Sequence, residues 1–270
     1  MGVGSIFMRV FGHPIALQAG DVDDPDYRIP VHRQLIRSKP LLYEGYLRWY
    51  RELMPAYHQT AHLDGALVEI GCGPGFLDEL IPGLIKTDSV PNPFAHAIVD
   101  AMQMDYADRS LRAIFAVGVV HHLPHPERFL AEAQRCLQPG GRLALVEPSH
   151  HYPVPGFPRR LFTLLDHYEV FDDTVQDWDN EGASNMRGAN IALPWVIFER
   201  DRARLEARFP SLRRVAVRYH SALSHVLAGG FSLRSIVPRP AIGPVFALED
   251  ALTSVWPTLG AMMTIDLERI

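Results

Sequence analysis

The chain has 270 residues, 47% of them apolar, enough to bury one large core with additions around it. A formal net charge of -5 gives no electrostatic reason to expect a nucleic-acid partner. The only cysteines, Cys72 and Cys136, rule against a disulfide framework and favour a reducing, cytoplasmic setting. No run of about 18 apolar residues offers a membrane span, and the start "MGVGSIFMRVFG" has neither a signal-peptide pattern nor, with Ile at position 6, a myristoylation pattern. A small-molecule partner and no stable membrane insertion are the expectation.

In chain order, "LLYEGYLRWYRELM" sets Leu42, Tyr46, Trp49, Tyr50 and Leu53 at helical spacing and predicts a covering helix. From Ala66 to Glu147 short apolar runs alternate with helical patterns, the signature of crossover units in a parallel sheet. "ALVEIG" predicts the first strand, with a helix starting near Pro74; "LIKTD" ends a second strand at Asp88 and "HAIVD" a third at Asp100. "AIFAVGVV" (113–120) is continuous enough to be a strand covered on both faces. "PERFLAEAQRCL" then lines Phe129, Leu130, Ala133, Cys136 and Leu137 along one helical stripe, "QPGG" stops it, and "RLALVEP" supplies a fifth strand.

Residues 149–193 are rich in His, Asp, Asn and Gly without steady periodicity and read as a substrate-facing insertion. Beyond it "WVIFERDRARLEARF" is helical, "LRRVAVRY" strand-like, "SHVLAGGFSLRSIVPRPAIGPV" too broken for one element, and "AMMTIDLERI" a last strand. The expected organisation is a helical cover over 1–60, an α/β core over 61–148, the insertion over 149–194, and completion of the sheet over 195–270. Residues 223–259 would serve as a lid, a homodimer surface or core.

"LVEIGCGPGFLDELI" places Gly71, Gly73 and Gly75 directly after the first strand, where backbone N–H groups can meet an anion or carboxylate. The dinucleotide fingerprint needs glycine at its sixth position, but Phe76 stands there, which weighs against an NAD(P)-linked oxidoreductase. Acidic residues end the first three strands, at Glu69, Asp88 and Asp100, along the edge where open α/β sheets bind ligands. A ligand carrying an ammonium group, a ribose diol and an exocyclic amine would satisfy them in turn, and S-adenosyl-L-methionine carries all three. Turn formation and helix capping are the bland alternatives for these glycines and aspartates.

Through "LVEIGCGPG", "TDSV", "VDAMQM" and "AVGVVHHLPHPERFLAEAQRCLQPGGRLALVEP" the chain resembles the class I S-adenosyl-L-methionine-dependent methyltransferases. More softly, "LIRSKPLL", "ANIALPWVIFERDRARLEARFP" and "LSHVLAGGFSLRSIVP" are similar to a bacterial subgroup from polysaccharide and secondary-metabolite clusters, from whose patch "LLDHYEVFDDTVQDW" departs at Tyr168 and Val170. The resemblance implies a Rossmann-like, seven-stranded, mostly parallel sheet flanked by helices. It also implies that Glu69 holds the methionine ammonium, that Gly71, Cys72, Gly73 and Gly75 meet the methionine and ribose part, and that Asp88 takes the ribose hydroxyls. Asp100 and Ala101 would meet the adenine, with Val119 and His121 flanking the methionine.

A sulfonium methyl is already activated, so the protein must chiefly align donor and nucleophile and leave an alcohol acceptor deprotonated. Among 13 histidines, His121, His151 and His167 are the candidate bases, His122 is assigned to structure, and Glu147 could orient a histidine or end its strand. No metal is expected, because adjacent pairs such as His150 and His151 lack one-face ligand spacing. "HHLPHP" in place of an Asn-Pro-Pro-Tyr segment points to a small-molecule acceptor, a hydroxyl of a sugar-containing or specialised metabolite. N-methylation, another use of the sulfonium such as cyclisation, and a non-catalytic binding module are the alternatives.

Overall fold

The computed structural model describes residues 11–16, 20–21, 23–152, 169–180 and 187–270. Seven strands form one sheet in the order β3-β2-β1-β4-β5-β7-β6: β1 Ala66–Glu69, β2 Leu84–Asp88, β3 Ala97–Ile98, β4 Leu111–Val117, β5 Leu137–Pro148, β6 Leu212–His220 and β7 Met262–Arg269. The pairs among β1 to β5 are parallel, whereas β7 runs antiparallel between β5 and β6. The expected Rossmann-like, mostly parallel sheet is therefore present, and its strand order reverses between β1 and β4.

The strands read as apolar runs because both faces of the sheet are covered. Side chains alternate across it: Leu67, Ala113, Phe115, Ala144 and Val146 join the core under the N-terminal helices. Val68, Ile114, Ala116, Leu143 and Leu145 join the opposite core. Two helices make the N-terminal cover, α1 Pro25–Ser38 and α2 Pro40–Gln59. Asp24 caps α1 by accepting from the Asp26 N–H, and Pro25 fills a first-turn position where a missing N–H costs nothing. On α2 the expected stripe packs inward, with Leu42, Trp49, Tyr50 and Leu53 buried. On the other face α3, Pro126–Cys136, buries Phe129, Leu130, Ala133 and Cys136 as its spacing predicts, and Leu137 becomes the first residue of β5.

Several expected elements differ, among them β5, which takes in the "QPGG" expected to precede it. Instead of a helix from Pro74, the chain makes only a 3-10 turn, Leu77–Glu79, before β2. The breakers Pro74, Gly75, Pro82 and Gly83 leave no uninterrupted helical run between β1 and β2, and the face is filled by α2 instead. The third strand is two exposed residues, since Pro91 and Pro93 just before it cannot donate to a ladder. β4 ends at Val117, where Gly118 (φ 67°) turns the chain into a 3-10 turn, Val120–His122.

After the insertion, α4 Leu193–Trp195 continues through a π-helical turn, Val196–Arg200, into α5 Arg202–Arg208. The broken stretch forms α6 Ser224–Leu227 and α7 Ile242–Val255. α7 buries Phe246 and Glu249 but leaves Leu248 and, just past it, Trp256 exposed, so it is not wholly core. None of the helices in the described residues is long and apolar enough to cross a membrane.

Candidate active site

The glycine turn leaves β1 beside the reversal in strand order, the crevice where open α/β sheets bind ligands. Its three glycines do different work. Gly71 (φ 61°) and Gly73 (φ 47°) adopt a backbone that side chains rarely take. A Cβ on Gly71 would lie 2.7 Å from Val119, whereas one on Gly73 would meet only the Gly71 carbonyl, at 4.0 Å. Gly75 serves packing: a Cβ there would come within 2.8 Å of the Tyr50 hydroxyl, which accepts the Phe76 N–H at 2.9 Å. α1 braces the same turn, with the Arg33 guanidinium donating to the carbonyls of Pro74 and Gly75.

Glu69 is buried beneath this turn. Burial raises its pKa to about 8, against the pull of Lys86, and its Oε2 has no hydrogen-bond partner. Cys72 is buried too, its thiol pushed up chiefly by burial, and its N–H donates to the Thr87 carbonyl. At the end of β2, Asp88 Oδ2 accepts the Gly73 N–H at 2.9 Å and the Asn92 amide at 2.8 Å, while Oδ1 accepts the Ser89 N–H. The Asn92 amide also donates to the Gly73 carbonyl, tying the two loops together. Asp100 is exposed and accepts the Met102 N–H at 2.8 Å, and Ala101 beside it is buried. Both aspartates thus shape turns in addition to any ligand role.

Across the crevice the 3-10 turn after β4 is held by β5. Glu147 is fully buried; its Oε1 accepts the N–H groups of Val119 and Val120, each at 2.8 Å, and its Oε2 accepts from His121 Nδ1 at 2.8 Å. The insertion closes the other side. The Asn180 amide and the Asn190 N–H both donate to the His121 carbonyl, and pairing of Val170 with Ala189 and Ile191 brings in Glu169. Glu169 Oε1 lies 3.6 Å from His121 Nε2 and 3.9 Å from His122 Nε2. Burial presses the His121 pKa down, but Glu147 and Glu169 override it and leave the imidazole raised to about 9.

Of the other expected bases, His151 lies half-buried just past β5 with its ring edge-on to His150, and its N–H donates to the Ser149 hydroxyl. His150 is engaged with Asp173 at 2.9 Å and packs on Trp195. His167 lies outside the described residues. Sequence reasoning missed Asn92, Arg33, Glu169 and a second histidine site, His225, whose Nε2 meets the Tyr152 hydroxyl at 3.0 Å. His122, expected to be structural, also lies beside Glu169, 3.9 Å from its Oε1.

Residues 68–145 match the family model described as a methyltransferase domain. Over 100 aligned residues the chain is 44% identical to a 27-O-demethylrifamycin SV methyltransferase of Amycolatopsis mediterranei, covering 29% of this chain and 37% of that protein. Over 63 residues it is 32% identical to the methyltransferase GfsG of Streptomyces halstedii, covering 23% of each. Residues 68–145 therefore carry a methyltransferase domain of the S-adenosyl-L-methionine-dependent class. The matches span 23% and 37% of those relatives' length. Among solved structures, geranyl diphosphate C-methyltransferase from Streptomyces coelicolor A3(2) is similar over 96% of this chain and 92% of that one, at 14% identity and a TM-score of 0.45.

The family's cofactor is S-adenosyl-L-methionine, and the crevice fits it. A buried carboxylate oxygen without a partner at Glu69 suits an ammonium group, and Gly73 offers backbone that no side chain obstructs.

Proposed function

We propose that the protein transfers the methyl group of S-adenosyl-L-methionine to a hydroxyl of a small-molecule acceptor, a sugar-containing or other specialised metabolite, in the cytoplasm. The observation that carries this reading is the buried Glu147–His121 pair, 2.8 Å apart, on the turn that packs Val119 against Gly71. The relative named as a 27-O-demethylrifamycin SV methyltransferase supports a hydroxyl acceptor.

In this reading Glu69 holds the methionine ammonium, and Gly71, Cys72, Gly73 and Gly75 border the methionine and ribose. Asp88 takes the ribose hydroxyls, with Asn92 fixing its carboxylate. Asp100 and Ala101 meet the adenine, and Val119 and His121 flank the methionine side. The core over 61–148 binds the cofactor; the cover over 1–60, the insertion over 149–194 and the segment 223–259 enclose the acceptor.

The cofactor supplies an activated methyl, so the remaining task is to align and deprotonate the acceptor. Glu147 fixes the His121 ring through Nδ1 and leaves Nε2 facing the insertion, where the acceptor hydroxyl lies. An imidazole raised to about 9 holds its own proton at neutral pH, so Nε2 accepts one only when the acceptor takes Glu169's place beside it. The acceptor oxygen bonds to the methyl carbon as the carbon–sulfur bond breaks, its electron pair staying on sulfur. His151 and His167 are the reserve bases.

The test is mass spectrometry of S-adenosylhomocysteine and methylated product after incubation with an acceptor panel. Turnover in wild type, reduced about 100- to 10,000-fold in His121→Ala with cofactor affinity within several-fold, is expected. Full rate in His121→Ala, His151→Ala and His167→Ala would place the base elsewhere.

A further inference from the structure

We infer that His121, His122 and Glu169 form a binding site for a divalent cation of the zinc class, with a coordination position left open toward the acceptor. Among the described residues these three offer one ligand atom each, two imidazole nitrogens and a carboxylate oxygen, all within 4.8 Å of one another. The separations are informative. A direct N–H···O bond brings its heavy atoms to about 2.9 Å, yet Glu169 Oε1 stands 3.6 Å from one ring nitrogen and 3.9 Å from the other. Two ligands at about 2.1 Å from a tetrahedral ion are themselves about 3.4 Å apart. The two carboxylate–imidazole separations are therefore near those of a common ion, and the set as a whole, within 4.8 Å, would have to contract to close on it.

The surroundings match what holds a ligating histidine. His121 presents Nε2 to the cluster while its Nδ1 donates to the fully buried Glu147. That is the carboxylate–histidine arrangement that fixes tautomer and ring orientation and strengthens the imidazole as a ligand. The backbone is fixed as well, since His121 is clamped at its carbonyl by Asn180 and Asn190. The two rings lie 4.2 Å apart at 40°, so both Nε2 atoms converge on the one carboxylate although the residues are adjacent in sequence. Adjacent histidines on a helix would diverge; the tight 3-10 turn and the contact from a distant segment make the convergence.

Two imidazoles and one carboxylate suit zinc, cobalt, iron or nickel better than magnesium or calcium. Three protein ligands leave a fourth position for an oxygen of water or substrate. What fills that position rests on the methyl-transfer reading. There, coordination would lower the pKa of the acceptor hydroxyl enough for solvent water to take its proton, and His121 would act as a ligand in place of the proton acceptor described above. Ion binding itself does not depend on that reading.

Cobalt(II) is the probe, because its visible absorption reports low-coordinate nitrogen and oxygen ligation directly. Full-length protein stripped with chelator should take up one equivalent with intense visible bands that zinc displaces. Glu169→Gln and His122→Ala should each weaken uptake at least about tenfold, and Glu147→Gln by about 10- to 100-fold. His58→Ala, exposed at the end of α2, should leave it unchanged. Circular dichroism checks that each variant is folded. A featureless wild-type titration overturns the site, as does an unchanged spectrum in folded Glu169→Gln. Calorimetry with S-adenosyl-L-methionine on the same stripped sample separates the two claims. Cofactor binding with silent cobalt removes the ion site and keeps the methyltransferase, whereas cobalt uptake without cofactor binding does the reverse.

Discussion

The residue that joins the two halves of the proposed site is Glu147. One oxygen satisfies two backbone donors that would otherwise be buried unpaired, and the other orients His121. Replacing it by Ala should destabilise the protein by about 1–3 kcal/mol through those orphaned N–H groups, read from a denaturant midpoint. Glu147→Gln keeps an acceptor oxygen but loses the charge, so it should lower turnover, by on the order of 100-fold, while the cofactor affinity stays within several-fold. Equal rates in wild type and Glu147→Gln would leave His121 without its orienting partner. Asp88→Ala should weaken S-adenosyl-L-methionine by about 1.5–3 kcal/mol, the worth of a hydrogen bond to a charged group. Unchanged affinity in calorimetry would confine Asp88 to the contacts it makes with Gly73, Ser89 and Asn92.

At the scale of elements, the buried strands and the stripe of α3 were legible in the sequence because burial on both faces of a sheet, or on one face of a helix, writes itself as apolar spacing. Phe129→Ala tests that stripe: a fully buried phenyl should cost about 3–5 kcal/mol, and a loss under about 1 kcal/mol would mean the helix packs loosely. The missing helix after β1 was not legible from Pro74 alone. Proline suits a first helical turn, but the same residue beside Gly75 suits a turn, and only the packing of α2 into that space decides between them. Glu169 was hidden for a different reason. Its importance comes from a bridge inside the insertion, Val170 with Asn190, together with the bond from the Asn190 N–H to the His121 carbonyl just past β4, and no local periodicity encodes such contacts. The glycine turn shows the limit of motif reading in miniature: Gly71 and Gly73 answer to backbone conformation and an open crevice, Gly75 to the hydroxyl of Tyr50.

For the whole molecule, half-buried histidines pack around the C-terminal segment, two of them where it meets the N-terminal cover. His225 sits between Tyr152 and Trp49, His32 stacks on Phe231 at 4.0 Å, and His220 bonds to Thr264 at 2.8 Å. Burial lowers all three, His225 to about 4 and His32 and His220 to about 3. In the unfolded chain they titrate near 6.5, so between that value and about 3 the unfolded state binds more protons. Stability should then fall as pH drops through this window and be fully present above 6.5. Thermal melts from pH 7.5 to 4 should show a progressive loss, reduced in His225→Phe. A melting temperature flat over that range would contradict neutral histidines at these three positions.

The central claim is that the crevice at the ends of β1, β2 and β4 binds S-adenosyl-L-methionine. Isothermal calorimetry on folded full-length protein tests it most directly: one-site binding of the cofactor and of S-adenosylhomocysteine, weakened in Asp88→Ala and kept in His121→Ala, is the expected result. No heat with either ligand, from protein that circular dichroism shows to be folded, would contradict it.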